Sequence, residues 1–275
     1  MVRLTVFCCW FAFLAGCTVS GGGTIPSGAL KDPKKLYEHG ERRLKKDYPE
    51  DARLVFQKVR TLFPLSQYSL LAELKIAETH RKEGNFITAA TAYRDFEKDH
   101  PTHEAVTSGM TTWWIGYCNF RLGPGDFFLF PPSEQRDLMH IRAAYMIFQM
   151  FMTRYPDSPY MNRVKKYYAR AREMLVKHEF YAANFYAKKK KLQGVRNRME
   201  LVLTEFPDSP RVPEAAIILS RAYVKLGEPQ KAVDLCNKII VHYPKRPQAA
   251  EAARILAEAT RKLPARSKVP ERGPQ

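Results

Sequence analysis

Cysteine is scarce in this chain, and none of it has metal-binding spacing. Five occur, at positions 8, 9, 17, 118 and 236, with no Cys-x-x-Cys among them. The seven histidines are scattered, and His100 and His242 occupy equivalent positions of a repeat described below. His178-Glu179 opens like a zinc-protease motif, but Ala182 stands where the second His is needed. A Gly-rich phosphate loop and a Gly-x-Ser-x-Gly elbow are both missing. These absences argue against metal, nucleotide and acyl-transfer chemistry, so neither an enzyme nor a resident cofactor is expected. Acidic residues are also short: 28 Asp and Glu against 45 Lys and Arg leave a net charge of +17. Nucleic acid, a membrane surface or an acidic partner would each suit such charge. No RNP, KH or zinc-finger pattern is present and the cations are dispersed along helices, so nucleic acid is not expected.

Hydrophobic runs long enough to cross a bilayer are lacking too. Leu4 to Ala15 is about a dozen mostly apolar residues, where a spanning helix needs roughly 20. It follows the basic Met1-Val2-Arg3 and runs into Leu14-Ala15-Gly16-Cys17. This resembles a bacterial lipoprotein signal, cleaved before a Cys whose thiol and amine are acylated; an ordinary signal peptide that happens to contain Cys is the alternative. On the first reading residues 1–16 are the signal, and Cys17 carries S-diacylglycerol and an N-acyl chain that anchor the protein stably. Thr18, where an Asp retains enteric lipoproteins in the inner membrane, favours the outer membrane by that analogy. Residues 17–31 are Gly/Ser-rich and read as a flexible tether. Cys118 and Cys236 are then the only thiols of the mature chain, and they sit too far apart in the repeat order for a structural disulfide.

What the chain does have is a phased mark. An aromatic residue or His followed by Pro recurs at Phe63-Pro64, His100-Pro101, Tyr155-Pro156, Phe206-Pro207 and Tyr243-Pro244, in steps of 37, 55, 51 and 37. Twelve residues before each Pro stand Ala52, Ala89, Ala144, Val195 and Ala232; eight before stand Phe56, Tyr93, Phe148, Met199 and Cys236. Around Ala215 to Pro244, the residues Ser220, Tyr223, Gly227, Ala232 and Pro244 follow tetratricopeptide (TPR) spacing, with a repeat of about 34 residues. The expected fold is all-α: an elongated TPR solenoid of five helix–turn–helix units over 32–263, ending in an Ala-rich capping helix over 248–263. The third unit carries an insertion near 123–137, between helices expected at 104–122 and 134–154. Its Phe127–Pro132 stretch either folds back on the array or offers a partner an anchor. From 160 to 192 there is no Gly or Pro, which predicts one long helix closed by Lys188–Lys191, with Gly194 as the turn beyond it. Residues 264–275 are basic, Pro-rich and expected to be disordered. Tyr68, His80, Arg81 and Tyr93 are candidates to line a peptide groove, the alternative being a buried Tyr93 with the others solvated.

Local matches point further. Glu97-Lys98-Asp99-His100-Pro101-Thr102-His103, Arg136-Asp137, Tyr155-Pro156-Asp157-Ser158-Pro159-Tyr160, Leu175 with His178-Glu179-Phe180, Phe185-Tyr186 and Arg198 together resemble the BamD family. That family is the lipoprotein subunit of the outer-membrane β-barrel assembly machinery. The resemblance implies a scaffold on the periplasmic face of the outer membrane. It implies docking of the C-terminal units on the periplasmic domains of BamA, reception of unfolded outer-membrane proteins by the N-terminal units, and contact with other Bam lipoproteins. By carry-over Arg198, with Arg136 and Asp137, lies on the BamA side. Arg198 would pair with a partner carboxylate; the alternative is an internal ion pair with Glu179 or Glu205. The Lys188–Lys191 run, the Phe127–Pro132 insertion and the strong net charge depart from the family pattern. A TPR lipoprotein of another envelope system, either peptidoglycan and cell division or a secretin pilot, is the competing reading, and a soluble basic adaptor would require Cys17 to stay unlipidated.

Overall fold

The computed structural model describes residues 25–125 and 131–263. The signal peptide, Cys17, residues 17–24 of the expected tether, residues 126–130 of the insertion and the 264–275 tail lie outside the described residues. Every regular element among the described residues is helical.

The aromatic–proline marks end helices, and the reason is local. Phe63, His100, Tyr155, Phe206 and Tyr243 are the C-caps of five helices, with φ from −134 to −128° and ψ from 46 to 61°. Each still donates its N–H to the carbonyl four residues back, at 2.9–3.2 Å. The proline that follows clashes with a helical conformation in the residue before it, so the helix stops there. The residues twelve and eight before each Pro are all buried, from Ala52 and Phe56 to Ala232 and Cys236.

The chain divides into two compact bodies, residues 1–79 and 80–275. In the first, α1 (Pro33–Lys45) and α2 (Pro49–Leu62) form a hairpin, and α3 (Gln67–Lys82) begins. Pro33 opens α1, and the Asp32 carboxylate accepts from the amides of Lys34 and Lys35 at 2.9 and 3.2 Å. Leu36, Tyr37, Leu44, Val55, Phe56, Val59 and Ala72 make the core. A Cβ on Gly40 would lie 2.6 Å from the Phe56 ring, so glycine lets the hairpin close. The end of the expected tether belongs to this body: Ala29–Lys31 is a 3-10 turn, Ala29 is buried, and Ile25 packs on the core.

The second body runs through α4 (Phe86–Asp99), α5 (Glu104–Thr107), α6 (Met110–Leu122), α7 (Met139–Arg154), α8 (Met161–Lys188), α9 (Leu192–Glu205), α10 (Val212–Lys225), α11 (Pro229–His242) and α12 (Pro247–Arg261). From α6 onward each long helix packs on the one before it, α4 packs on α6, and α12 covers α11 and α10. That is the nearest-neighbour packing of a repeat array.

Three expected elements differ. The helix expected over 104–122 is broken at Ser108-Gly109. Gly109 has φ +82°, and a Cβ there would meet the Phe151 ring at 2.7 Å and Tyr155 at 3.0 Å. Tertiary packing against α7 thus imposes the break. The helix expected over 134–154 starts only at Met139, after a 3-10 turn over Ser133–Gln135. Gly194 is not the turn after the long helix. It lies inside α9, where a Cβ would be 2.5 Å from the Tyr186 ring, and the chain reverses instead at Lys189–Lys191, with Lys190 at φ 57°.

Candidate partner-binding surfaces

Arg198 is anchored within the chain. Its Nη1 donates to Glu179 Oε2 at 3.1 Å, bridging α9 to α8. The Glu179 side chain is 2% exposed, whereas that of Arg198 is 36% exposed. Arg142 on α7 approaches the other Glu179 oxygen at 3.9 Å and donates to Glu205 at 2.9 Å. One buried carboxylate therefore fixes two partly exposed guanidinium groups from neighbouring helices. Its hydrogen bond pushes the Arg198 pKa further up, with Tyr186 adding to the effect. The base of the cluster is stiff. Tyr145 stacks on Tyr168 with centroids 4.8 Å apart, and its hydroxyl donates to the Glu205 carbonyl at 3.2 Å. Of the two internal partners considered for Arg198, Glu179 is the one found. Arg142 was missed by sequence reasoning: its contacts with Glu179 and Glu205 join helices far apart in sequence, and no local signal marks it.

Arg136 and Asp137 also make internal contacts. Arg136 Nη2 donates to the Gly125 carbonyl, and Asp137 accepts from the Met139 amide at 2.8 Å just before α7. This segment meets α8 beside Glu179, because the Glu134 carbonyl lies 2.7 Å from His178 Nδ1. Glu134, two residues before Arg136, and Arg198 thus meet adjacent residues of α8, His178 and Glu179.

The groove candidates separate. Tyr93 is 2% exposed and is core, so it cannot line a surface groove. It occupies the slot eight before Pro101, buried in every hairpin. Tyr68, in the first body, is partly buried against Tyr37 with centroids 5.7 Å apart. In the second body His80 sits 3.9 Å from Glu83, and the Arg81 guanidinium lies 3.8 Å over the Trp114 ring. That ring begins a partly buried aromatic strip. Trp114 meets Tyr117 at 5.6 Å, Tyr117 meets Tyr167 at 5.4 Å, and Arg170 stands 5.6 Å over Tyr167. Such a strip offers ring faces and guanidinium edges to a bound chain. Among the described residues, no group of three His, Cys, Asp or Glu could hold a metal, and no helix is long and apolar enough to cross a membrane.

Comparison with known proteins adds family information. A family model described as an outer membrane lipoprotein, YfiO, matches residues 30–235. The outer membrane protein assembly factor BamD of Pasteurella multocida is 28% identical over 197 residues, covering 70% of this chain and 74% of its own. Its namesake in Haemophilus influenzae is 25% identical over 232 residues, covering 81% and 86%. Among solved structures, the TPR2AB-domain–pHSP90 complex of yeast Sti1 aligns over 84% of this chain and 90% of its own, with a TM-score of 0.38 and 15% identity.

Proposed function

The chain belongs to the YfiO family of outer membrane lipoproteins, and from that premise we propose that it is a non-enzymatic docking scaffold in outer membrane protein assembly. In this reading, acyl chains on Cys17 hold it at the periplasmic face of the outer membrane. The C-terminal hairpins bind the periplasmic domains of BamA, and segments of unfolded outer-membrane proteins lie along the aromatic surface.

The observation that carries the reading is the Arg142–Glu179–Arg198 cluster. A guanidinium already oriented by a buried carboxylate loses little side-chain freedom when a partner's carboxylate meets its exposed edge. The Arg81–Trp114–Tyr117–Tyr167–Arg170 strip supports the second role, because extended peptides bind rigid helical surfaces without rearranging them.

The test is affinity purification from detergent-solubilised membranes, with a photo-crosslinker at position 198. An adduct with BamA is expected. Absence of the adduct in an otherwise intact complex overturns the contact, and a secretin or cell-division protein in its place moves the scaffold to another envelope system. Palmitate labelling of the parent, lost in Cys17→Ser, tests the anchor.

A further inference from the structure

The turn that closes α8 carries four lysines in succession, Lys188–Lys191, and all four are exposed. From Phe180 to Met199 the sequence holds six cations and no carboxylate. None of the four lysine side chains has an acidic partner among the described residues; Lys189 Nζ lies 6.0 Å over the Phe185 ring. Phe185 and Tyr181, one turn apart on α8, are themselves 51% and 41% exposed, and exposed Lys177 continues the same face. The patch is thus two solvent-facing rings bordered by uncompensated ammonium groups.

Local stability does not account for it. A cation in the last turn of a helix is favourable, and Lys188 occupies that place in α8. Lys190 and Lys191, however, immediately precede α9, which begins at Leu192, and a cation at a helix N-terminus opposes the dipole. Lys190 also adopts a left-handed conformation, φ 57°, that Gly or Asn would fill at lower cost. The sequence therefore keeps lysines where the backbone disfavours them.

We propose that this patch is a membrane-surface contact: the lysines meet anionic phospholipid headgroups, and Tyr181 and Phe185 enter the interfacial layer. Four consecutive residues around a reversal point in different directions, which suits a laterally continuous charged surface better than one stereospecific carboxylate. Exposed aromatics beside lysines are the composition of membrane-interface segments. The contact would hold the second body against the bilayer, and it stands independently of the protein partners proposed above.

The experiment uses the chain from residue 17 onward with Cys17→Ser, which keeps every described residue and removes the acyl anchor. It is sedimented with phosphatidylethanolamine vesicles containing about a quarter phosphatidylglycerol, and with neutral phosphatidylcholine vesicles. Expected is binding to the anionic vesicles at low salt that falls at high salt. Replacing Lys188 to Lys191 together with Gln should lower partition by about fivefold per lysine removed, several hundredfold in all. Tyr181→Ser with Phe185→Ser should lower it by about tenfold through lost ring burial. A control with Gln at the exposed Lys34, Lys35, Lys45 and Lys46 removes the same charge and should retain most of the binding. All substituted side chains are exposed, so circular dichroism should be unchanged in each. Equal loss in control and patch variants overturns the proposal, as does parent binding that ignores lipid charge. So does a patch variant that keeps its vesicle binding but loses an acidic protein partner.

Discussion

Replacing Arg198 with Ile tests whether the cluster is structural, functional or both. At an effective dielectric of about 20, unit charges 3.1 Å apart attract by ~5 kcal/mol and at 3.9 Å by ~4 kcal/mol. Several kcal/mol of carboxylate desolvation oppose this. Arg198→Ile leaves a carboxylate that is 2% exposed with only the more distant Arg142. The expected loss is ~2–3 kcal/mol, held below the range for fully buried pairs by the partial exposure of Arg198. At ~2–4 °C per kcal/mol for a chain of this size, the melting temperature should fall by ~5–10 °C. Arg198→Ile combined with Glu179→Met removes both charges and fills the space with apolar atoms. Such replacements are usually neutral or stabilising, so the double variant should recover to within ~1 kcal/mol of the parent. Arg142 keeps Glu205 at 2.9 Å and is not stranded. Thermal denaturation of the four proteins of the cycle is the assay. A double variant no more stable than the Arg198→Ile single would refute the buried-charge argument. Because the double variant should be folded yet lack the guanidinium, its failure to retain a partner would isolate docking from stability.

Three further outcomes follow from other contacts. Gly116→Ala gains ~1 kcal/mol of helix propensity but sets a Cβ 2.4 Å from the Phe148 ring, so a net loss of ~1–2 kcal/mol by urea denaturation is expected, relieved by Phe148→Leu. Glu97→Ala removes the acceptor of Thr111 and Thr112, whose buried hydroxyls donate to it at 2.8 and 2.5 Å, and should cost ~2 kcal/mol, with Glu97→Gln costing less. Burial pushes the Cys118 thiol from 9.0 up to about 11, so the unfolded chain ionises first. The stabilisation from that thiol is complete below pH ~9 and is lost between ~9 and ~11. Burial also raises Tyr37, Tyr168 and Tyr223, which add to the decline above pH ~10. A urea midpoint that stays flat across this window would contradict the burial, as would reaction of Cys118 with a thiol reagent before unfolding.

Features fixed by neighbours in sequence were readable; features fixed by distant rings were not. The five helix ends could be found because proline constrains the residue before it. The break at Gly109 could not, because its cause is the Phe151 and Tyr155 rings, more than forty residues on. Gly194 reads as a turn by composition, and only the Tyr186 ring shows that it is there to let α9 approach α8. The actual reversal uses Lys190 in a conformation that propensity assigns to glycine. Residue type makes Tyr93 a groove candidate with burial as the alternative, and its place in the repeat already favours the core, where it lies.

That last conflict separates the two kinds of information in a repeat chain. A slot filled alike in every hairpin serves the shared core, so a partner site is better sought where one hairpin departs from the others. Arg198 lies nine residues before Pro207; the same slot holds Val55, Ala92, Ile147 and Leu235 in the other hairpins. One hairpin has therefore exchanged an apolar residue for a cation, and a buried Glu179 holds it in place. Such an exchange brings little or no net stability over apolar packing. What it adds is a guanidinium, over a third exposed, held in a fixed direction between two helices. A residue that costs the fold as much as it returns, at a single position of an otherwise regular series, is best explained by what it presents outward.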